Sequence, residues 1–408
     1  MKPNIQSRTV FLGDNLGFLR GINSECVDLI YADPPFNKKK EFTAPIGSAA
    51  EGAGFLDLFA KEDIKDEWVE EFRQENYELH SFLTGIKAIG NSYNYCYLVY
   101  MAIRFIECHR TLKQTGSLYL HCDPTMSWGL RVMLDCIFGE ENFRNEIVWC
   151  YHAGGASGRY FPRKHDTLLL YGKNAKKSTH NILRMPYRDR YAYQDDHDPA
   201  LGVYHPDGKM LHDWWEISVI SSKAKERTGW PTQKPLNLLE RVVAASSNPG
   251  DLVLDPFCGC ATTCIAAERL GRGWVGIDVA KEAWNQIESR LKKEVPADMF
   301  RGEPHFSTTP PKRGKSDARP KKYVYVISNP AYPGMYKVGV ATNAEARLNQ
   351  FQTADPKRRY QLEFKQLTAE YKTLEPHIHR QFDGDHEWVP AGLDAIIEAI
   401  KNYRPEQR

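Results

Sequence analysis

The chain has 408 residues, enough to bury one large core and a second, small one. Its 54 Lys and Arg stand against 52 Asp and Glu, so no overall charge demands a polyanionic partner, although a local basic groove would suffice for one. Nine cysteines without a CxxC pair or zinc spacing argue for reduced thiols in a cytoplasmic protein; MKPNIQSRTV has no apolar leader and no 18-residue apolar run follows, which argues against secretion and membrane spanning.

The first strand-like run, TVFLGD (9–14), ends in Asp14. The second, residues 27–31, is apolar and rich in β-formers and leads into YADPPFN (31–37). Pro34 and Pro35 remove two backbone donors and fix φ at both, so this turn is rigid and keeps free carbonyls beside Asp33 and Phe36. A third run, SLYLHCD, ends at Asp123. Residues 152–225 interleave Arg, Tyr and Trp, as in GGASGRYFPRKH, RMPYRDRYAYQ and HDWW, which suits phosphate and base contacts.

Residues 252–254 form a strand ending in Asp255, followed by DPFCGCATT, a helical run and a strand at 274–277 that ends in Asp278. Strand, small-residue turn, helix, strand and an acid about twenty residues on make the first βαβ unit of a nucleotide-binding sheet. Gly259 lets a ligand approach the backbone, and Asp278 can accept hydrogen bonds from two ribose hydroxyls. GxGxxG is missing, which disfavours a dehydrogenase; a nucleoside with a short charged tail, such as S-adenosylmethionine, fits better. Five strands thus deliver carboxylates at the C-terminal edge, where α/β sheets bind ligands.

Residues 308–322, TTPPKRGKSDARPKK, carry three prolines and six basic residues against one acid and read as a solvated linker. The expected division is 1–300, a linker at 301–321, and a small domain at 322–408. In the last, YVYVI and YKVGV flank a Pro/Gly turn, Thr342 and Asn343 cap a helix carrying Arg347, and Glu375 and His379 lie one helical turn apart.

DPPF together with DPFxGxxTT and TQKP resembles the amino-group DNA methyltransferases, and the motif order resembles their β group. The likeness spans residues 8–285 and includes GSLYLHCD (116–123), FGEENFRNEIVW (138–149) and ERTGWPTQKPLNLLER (226–241). It implies a Rossmann-like α/β fold that binds S-adenosylmethionine and acts on a base flipped out of double-stranded DNA. Asp33 and the Pro34 carbonyl would each accept one amine hydrogen, Pro34 and Pro35 would hold these acceptors rigid, and Phe36 would stack on the base. Asp14 would contact the cofactor's adenine and Asp278 its ribose. Asp255, Phe257, Gly259 and Thr262 would line the cofactor, and Thr232, Gln233 and Lys234 would approach its methionine end. His121 and Asp123 read as structural partners, Cys258 and Cys260 as packing. DPPF rather than SPPY favours adenine N6 over cytosine N4, and residues 152–225 would be the main target-recognition part. Ala261 departs from the family's usual glycine, which a negative φ would tolerate. The alternatives are a cytosine-N4 enzyme, an RNA or protein methyltransferase, a fused restriction-modification enzyme whose nuclease activity is primary, and a DNA-binding protein without catalysis. The resemblance admits a homodimer as the assembly.

The small domain, an α+β unit, resembles the GIY-YIG nuclease superfamily, particularly its phage-associated branch. Residues 323–325 map to the first motif and 337–339 to the second, where Lys337 replaces the usual tyrosine. The resemblance implies that Tyr325 helps to activate water, Arg347 stabilises phosphate charge and Glu375 holds a metal ion such as Mg²⁺. Cleavage, DNA binding without cleavage and a degenerate fold kept for packing are all compatible with these residues.

Overall fold

The computed structural model describes residues 2–152, 157–186, 207–296, 302–314, 322–341, 343–385 and 387–404. The chain divides into two compact units, Met1–Ile64 with Gly85–Asp317, and Lys65–Thr84 with Ala318–Arg408.

In the first unit the strands are β1 (Thr9–Leu12), β2 (Val27–Ala32), β3 (Lys40–Thr43), β4 (Gly54–Asp57), β5 (Leu112–Cys122), β6 (Phe143–Cys150), β7 (His165–Gly172), β8 (Arg184–Met185), β9 (Lys209–Met210), β10 (Trp214–Glu216), β11 (Leu252–Asp255), β12 (Gly273–Asp278) and β13 (His305–Ser307). Nine of them form one sheet in the order β10-β6-β7-β5-β2-β11-β12-β1-β13, while β3 pairs with β4 and β8 with β9. Strands β2 and β11 are buried along their whole length, as expected where helices cover both faces of a sheet. The pairs β5–β2, β2–β11, β11–β12 and β12–β1 are all parallel. Asp14, Asp33, Asp123, Asp255 and Asp278 therefore follow or end strands at one edge, as the sequence implies.

The sheet is α/β but mixed, because β7 runs antiparallel to both β5 and β6. The stretch 152–225 is also less purely a recognition segment than its composition suggests. It supplies β7 and the edge strand β10, and Trp215 of HDWW is core, with the Arg241 guanidinium 5.1 Å from its ring centroid. Tyr160, Phe161 and Trp214 are exposed, and His212 stacks on Trp214. Most of RMPYRDRYAYQ lies outside the described residues.

The basic, proline-rich stretch is used by the first unit rather than left wholly solvated. Strand β13 pairs in parallel with β1, Asn4 donates to the Lys312 carbonyl at 2.8 Å, and the Gly314 N–H donates to Asn23 at 2.9 Å. A Cβ on Gly21 would meet the Pro311 carbonyl at 2.0 Å, so the glycine is required for this approach.

The second unit is an antiparallel sheet in the order β16-β14-β15-β17, made of β14 (Lys322–Ser328), β15 (Tyr336–Ala341), β16 (Gln361–Thr368) and β17 (Trp388–Val389). Alternation sends Val324 and Val326 of β14 into a core with Val338, Leu374, Ile378, Ile396 and Ile400, and Tyr325 and Ile327 into a second cluster with Ala344. Residues 65–84 join this unit although they lie between parts of the first in sequence. Glu75, at the end of the helix Asp66–Glu75, sits 3.0 Å from both Lys322 and Lys372, and Lys322 is buried. Burial alone would raise the Glu75 carboxyl, but the two ammonium groups hold it below its ordinary value.

Candidate active site

Four of the five strand-end carboxylates, Asp14, Asp33, Asp255 and Asp278, line one cavity of about 390 Å³ in the first unit. Asp33, Pro34, Pro35 and Phe36 share it with Thr232, Gln233, Lys234, Phe257, Gly259 and Thr262. All thirteen positions read from the motifs as catalytic or cofactor-binding therefore meet in one place, within the range of roughly 300–1,000 Å³ usual for small-ligand sites. Asp123 does not line the cavity. It pairs with Lys38 and accepts from Thr125 N–H at 3.1 Å and Thr125 Oγ1 at 2.8 Å, a structural role.

The turn after β2 is held from below by side chains that no motif announces. Asp57, at the end of β4, is 1 % exposed; its Oδ1 accepts the Asn37 N–H at 2.6 Å, and Oδ2 accepts those of Phe36 and Lys38 at 3.1 and 2.9 Å. Burial pushes its carboxyl up, against the pull of the three N–H groups and Lys38. Buried Tyr97 donates to the Pro35 carbonyl at 2.9 Å, while no described residue donates to that of Pro34. Phe36 stacks on His121, whose ring meets the Tyr31 hydroxyl at 2.7 Å and Asp166 at 3.3 Å. Asp33 Oδ2 contacts Lys234 Nζ at 2.6 Å, whereas Oδ1 is buried and has no partner among the described residues. A buried acceptor of that kind costs about 1–3 kcal/mol unless a donor arrives.

On the cofactor side, the Asp278 carboxylate accepts from Gly259 N–H at 2.7 Å and Ala280 N–H at 2.8 Å, which fixes both oxygens at the tip of β12. Gly259 has φ +50°, and a Cβ there would meet the Trp230 ring nitrogen at 2.8 Å; the glycine keeps this wall open. Asp255 is 3 % exposed, and burial lifts its carboxyl to about 7; the Thr263 hydroxyl and the Phe257 N–H pull it down, and the charges of Asp33 and Asp278 push it up. Asp14 caps the following helix through the Leu16 N–H at 3.2 Å and takes Arg104 Nη2 at 2.6 Å. That buried arginine also holds Asn15, whose amide donates to the Pro256 carbonyl at 2.7 Å, so one guanidinium links two strand tips. Its charge inside the apolar helical run CYLVYMAIRFIEC was the available signal. Asp57 had none, because it sits in a short hairpin with no motif.

Three expectations change in detail. Ala261 adopts φ +59°, ψ +38°, so the negative φ that would tolerate its methyl group is absent and the left-handed backbone costs roughly 1–2 kcal/mol. Gln233 spends its amide on the preceding loop, donating to Glu226 O at 2.7 Å and accepting from Thr228 N–H and Oγ1, so its side chain holds the loop that carries Trp230. Lys234 faces Asp33. Thr262 accepts from the buried Arg290 at 2.8 Å, and burial raises the thiols of Cys258, Cys260 and Cys264, which suits packing.

In the second unit Tyr325, Lys337 and Arg347 gather around Glu387, a residue the motifs did not single out. Lys337 lies 2.5 Å and Arg347 3.4 Å from its carboxylate, and Arg347 Nε reaches the Tyr325 hydroxyl at 3.4 Å. Burial raises Tyr325 to about 12, and a Cβ on Gly339 would meet its hydroxyl at 2.5 Å. Burial raises the Glu375 carboxyl, His379 opposes this at 3.6 Å, and the Glu387 charge adds to it. Among the described residues no group of three His, Cys, Asp or Glu is disposed to hold a metal ion, and no helix is long and apolar enough to cross a membrane.

The chain is similar to known DNA methyltransferases. DNA adenine methyltransferase YhdJ of Escherichia coli strain K12 is 28 % identical over 282 residues, covering 68 % of this chain and 80 % of that protein. Type II methyltransferase M.HpaI of Haemophilus parainfluenzae is 28 % identical over 276 residues, covering 68 % and 71 %. Among solved structures, the cytosine-N4-specific PvuII DNA methyltransferase aligns at a TM-score of 0.45 and 16 % identity, over 73 % of this chain and 94 % of that one. Residues 322–403 match the T5orf172 domain. Residues 27–289 match the N6_N4_Mtase family, described as DNA methylase, and with that span covering well over half of its length the chain belongs to this family.

Proposed function

We propose that this DNA methyltransferase transfers a methyl group from S-adenosylmethionine to the exocyclic amine of a base flipped out of double-stranded DNA, and that the base is adenine, methylated at N6. The observation that carries the reading is the meeting, in one cavity, of the Asp33–Phe36 turn with the Asp255–Asp278 nucleotide side. When bound, the cofactor supplies an electrophilic methyl group on a sulfonium. The chain's own residues suit that guest: Asp278 offers carboxylate oxygens at a strand tip, Gly259 leaves the space a Cβ would fill, and Asp255 and Asp33 place negative charge around the cavity.

On the base side the unpartnered Asp33 Oδ1 and the Pro34 carbonyl are the acceptors for the two amine hydrogens. Held by them, the nitrogen lone pair would be free to take the methyl carbon by direct displacement, the C–S bond breaking with its electron pair left on sulfur as a neutral thioether. The amine proton would then be lost to solvent. Phe36, backed by His121, gives the base a stacking face in place of its lost neighbours, worth about 1–3 kcal/mol. Because Pro34, Pro35 and the Asp57 clamp fix the turn, the acceptors need little reorganisation as charge develops. The exposed Tyr160, Phe161 and Trp214 and the basic residues around them are the recognition surface.

The test is modified-base sequencing of a plasmid propagated with the gene in a host lacking DNA methylation, for wild type and Asp33→Ala. N6-methyladenine at one recognition sequence is expected from the wild type alone, with cofactor binding retained in the variant. N4-methylcytosine would overturn the choice of base, and unchanged methylation by Asp33→Ala would overturn the mechanism.

For the second unit the reading is a GIY-YIG-like domain that acts on DNA, supported by the gathering of Tyr325, Lys337 and Arg347 around Glu387 with Glu375 close by. Glu375 is its proposed Mg²⁺ ligand. Incubation of DNA with Mg²⁺ should give cleavage by the wild type that Glu375→Ala abolishes; equal cleavage by both would remove the metal assignment.

A further inference from the structure

The cavity contains an ammonium whose position the methyl-transfer chemistry has not yet used. Lys234 enters from the TQKP segment and is 8 % exposed; its Nζ lies 2.6 Å from Asp33 Oδ2 and 5.1 Å from the centre of the Phe36 ring. It thus touches the two groups that would receive the base, and its contact with Asp33 divides that carboxylate into one engaged and one unpartnered oxygen.

We propose that Lys234 is a positioning residue for methyl transfer: its ammonium holds the Asp33 carboxylate in a single orientation, with Oδ2 engaged, so that Oδ1 is the atom that accepts the amine hydrogen. The proposal rests on the methyltransferase reading above.

The surroundings make such a counter-ion necessary. Asp33 is faced by Tyr31 from β2, Tyr97 from the helix Ser92–Thr111, Cys122 from β5 and Asp255 from β11, and its negative charge adds to the burial that raises each of them. Asp166 of β7 is nearby, held below the ordinary carboxylate range in spite of its burial by His121, Lys234 and Tyr151. The charges of Asp33, Asp166 and Asp255 all act on Tyr31, that of Asp33 also acts on Asp255, and Lys234 supplies positive charge to Asp33 and Asp166. A buried carboxylate that loses such a partner is left uncompensated.

The experiment uses the full-length chain and unmethylated plasmid DNA, and measures kcat and KM for methyl incorporation by wild type, Lys234→Met and Lys234→Arg. S-adenosylmethionine affinity is measured by calorimetry on the same proteins. Lys234→Met keeps an unbranched stem but removes the charge. Its kcat should fall about tenfold while KM for DNA stays within about threefold, since the acceptor is misaligned but the binding surface is not. Cofactor affinity should stay within about threefold, and Lys234→Arg should restore kcat. If Lys234→Met fails to fold by circular dichroism, Lys234→Gln replaces it with the same expectation. An unchanged kcat, or a loss of activity matched by the loss of cofactor affinity, would overturn the proposal and return Lys234 to the cofactor. Absence of methylation by the wild type would instead overturn the methyltransferase reading and the proposal with it.

Discussion

Replacing Asp57 by asparagine isolates how much of the catalysis depends on the clamp beneath the turn. The carboxylate takes three backbone N–H groups on two oxygens, from Asn37 on Oδ1 and from Phe36 and Lys38 on Oδ2. An amide offers one acceptor oxygen. In its better orientation it keeps the two Oδ2 bonds and turns its own N–H₂ toward that of Asn37, donor against donor. One unsatisfied buried N–H costs about 1–3 kcal/mol, and the two surviving bonds lose charge assistance, which roughly halves them. A net loss of about 2–4 kcal/mol is expected, read as a lower urea midpoint at an unchanged slope. The turn carrying Asp33 then shifts, and a displacement of about 1 Å costs roughly a hundredfold in rate. Radiolabelled methyl incorporation into unmethylated plasmid should show kcat about a hundredfold lower, with cofactor affinity almost unchanged. A kcat within threefold of wild type would refute the reasoning, and so would a parallel loss of cofactor binding, which would make the hairpin a cofactor wall instead of a support for the turn.

Ala261→Gly should stabilise the first unit by about 1 kcal/mol, since it relieves the left-handed strain at a smaller cost in unfolded-chain entropy; a lower urea midpoint would contradict the φ of +59°. Burial raises Asp255 to about 7, so its proton is held more tightly in the folded chain than in the unfolded one. The associated stability is fully present below about pH 4 and is lost as pH rises through about 7, and S-adenosylmethionine, a cation, should bind more tightly above that value; flat calorimetric affinity between pH 6 and 8 would exclude the effect. Glu75→Ala leaves the buried Lys322 ammonium without its nearest carboxylate and should destabilise the second unit by about 3 kcal/mol, seen as faster amide exchange in β14 and β15; unchanged exchange would show the pair to be unimportant.

The site was legible in the sequence because parallel strands bring four of the five scattered strand-end aspartates, Asp14, Asp33, Asp255 and Asp278, to one cavity, and because Pro34 and Pro35 announce a rigid turn whatever surrounds them. Direction is different: HDTLLLYG reads the same whether β7 runs parallel or antiparallel, since an apolar run records burial but not the sense of its partner. Asp57 was invisible because the distance that matters, three N–H groups twenty residues earlier in the chain, is created by a hairpin of two four-residue strands. The φ of Ala261 depends on how DPFCGCATT meets Trp230 and Arg290, which no local pattern specifies. Strand β13 lies within the expected linker 301–321, just before the proline- and lysine-rich run, because three residues at a sheet edge need little apolar surface.

The helical segment 65–84 has a consequence for anyone who would take the protein apart. Since the backbone passes from one unit into the other at 64–65, returns at 84–85 and leaves again at 317–318, no single scission yields two complete pieces. A fragment starting at 322 would lack the carboxylate that answers Lys322, and one ending at 314 would carry Trp68 and Phe72, both buried, without the rest of the unit to which they belong. The two units are thus interleaved in the chain: the second is completed by twenty residues encoded between two segments of the first.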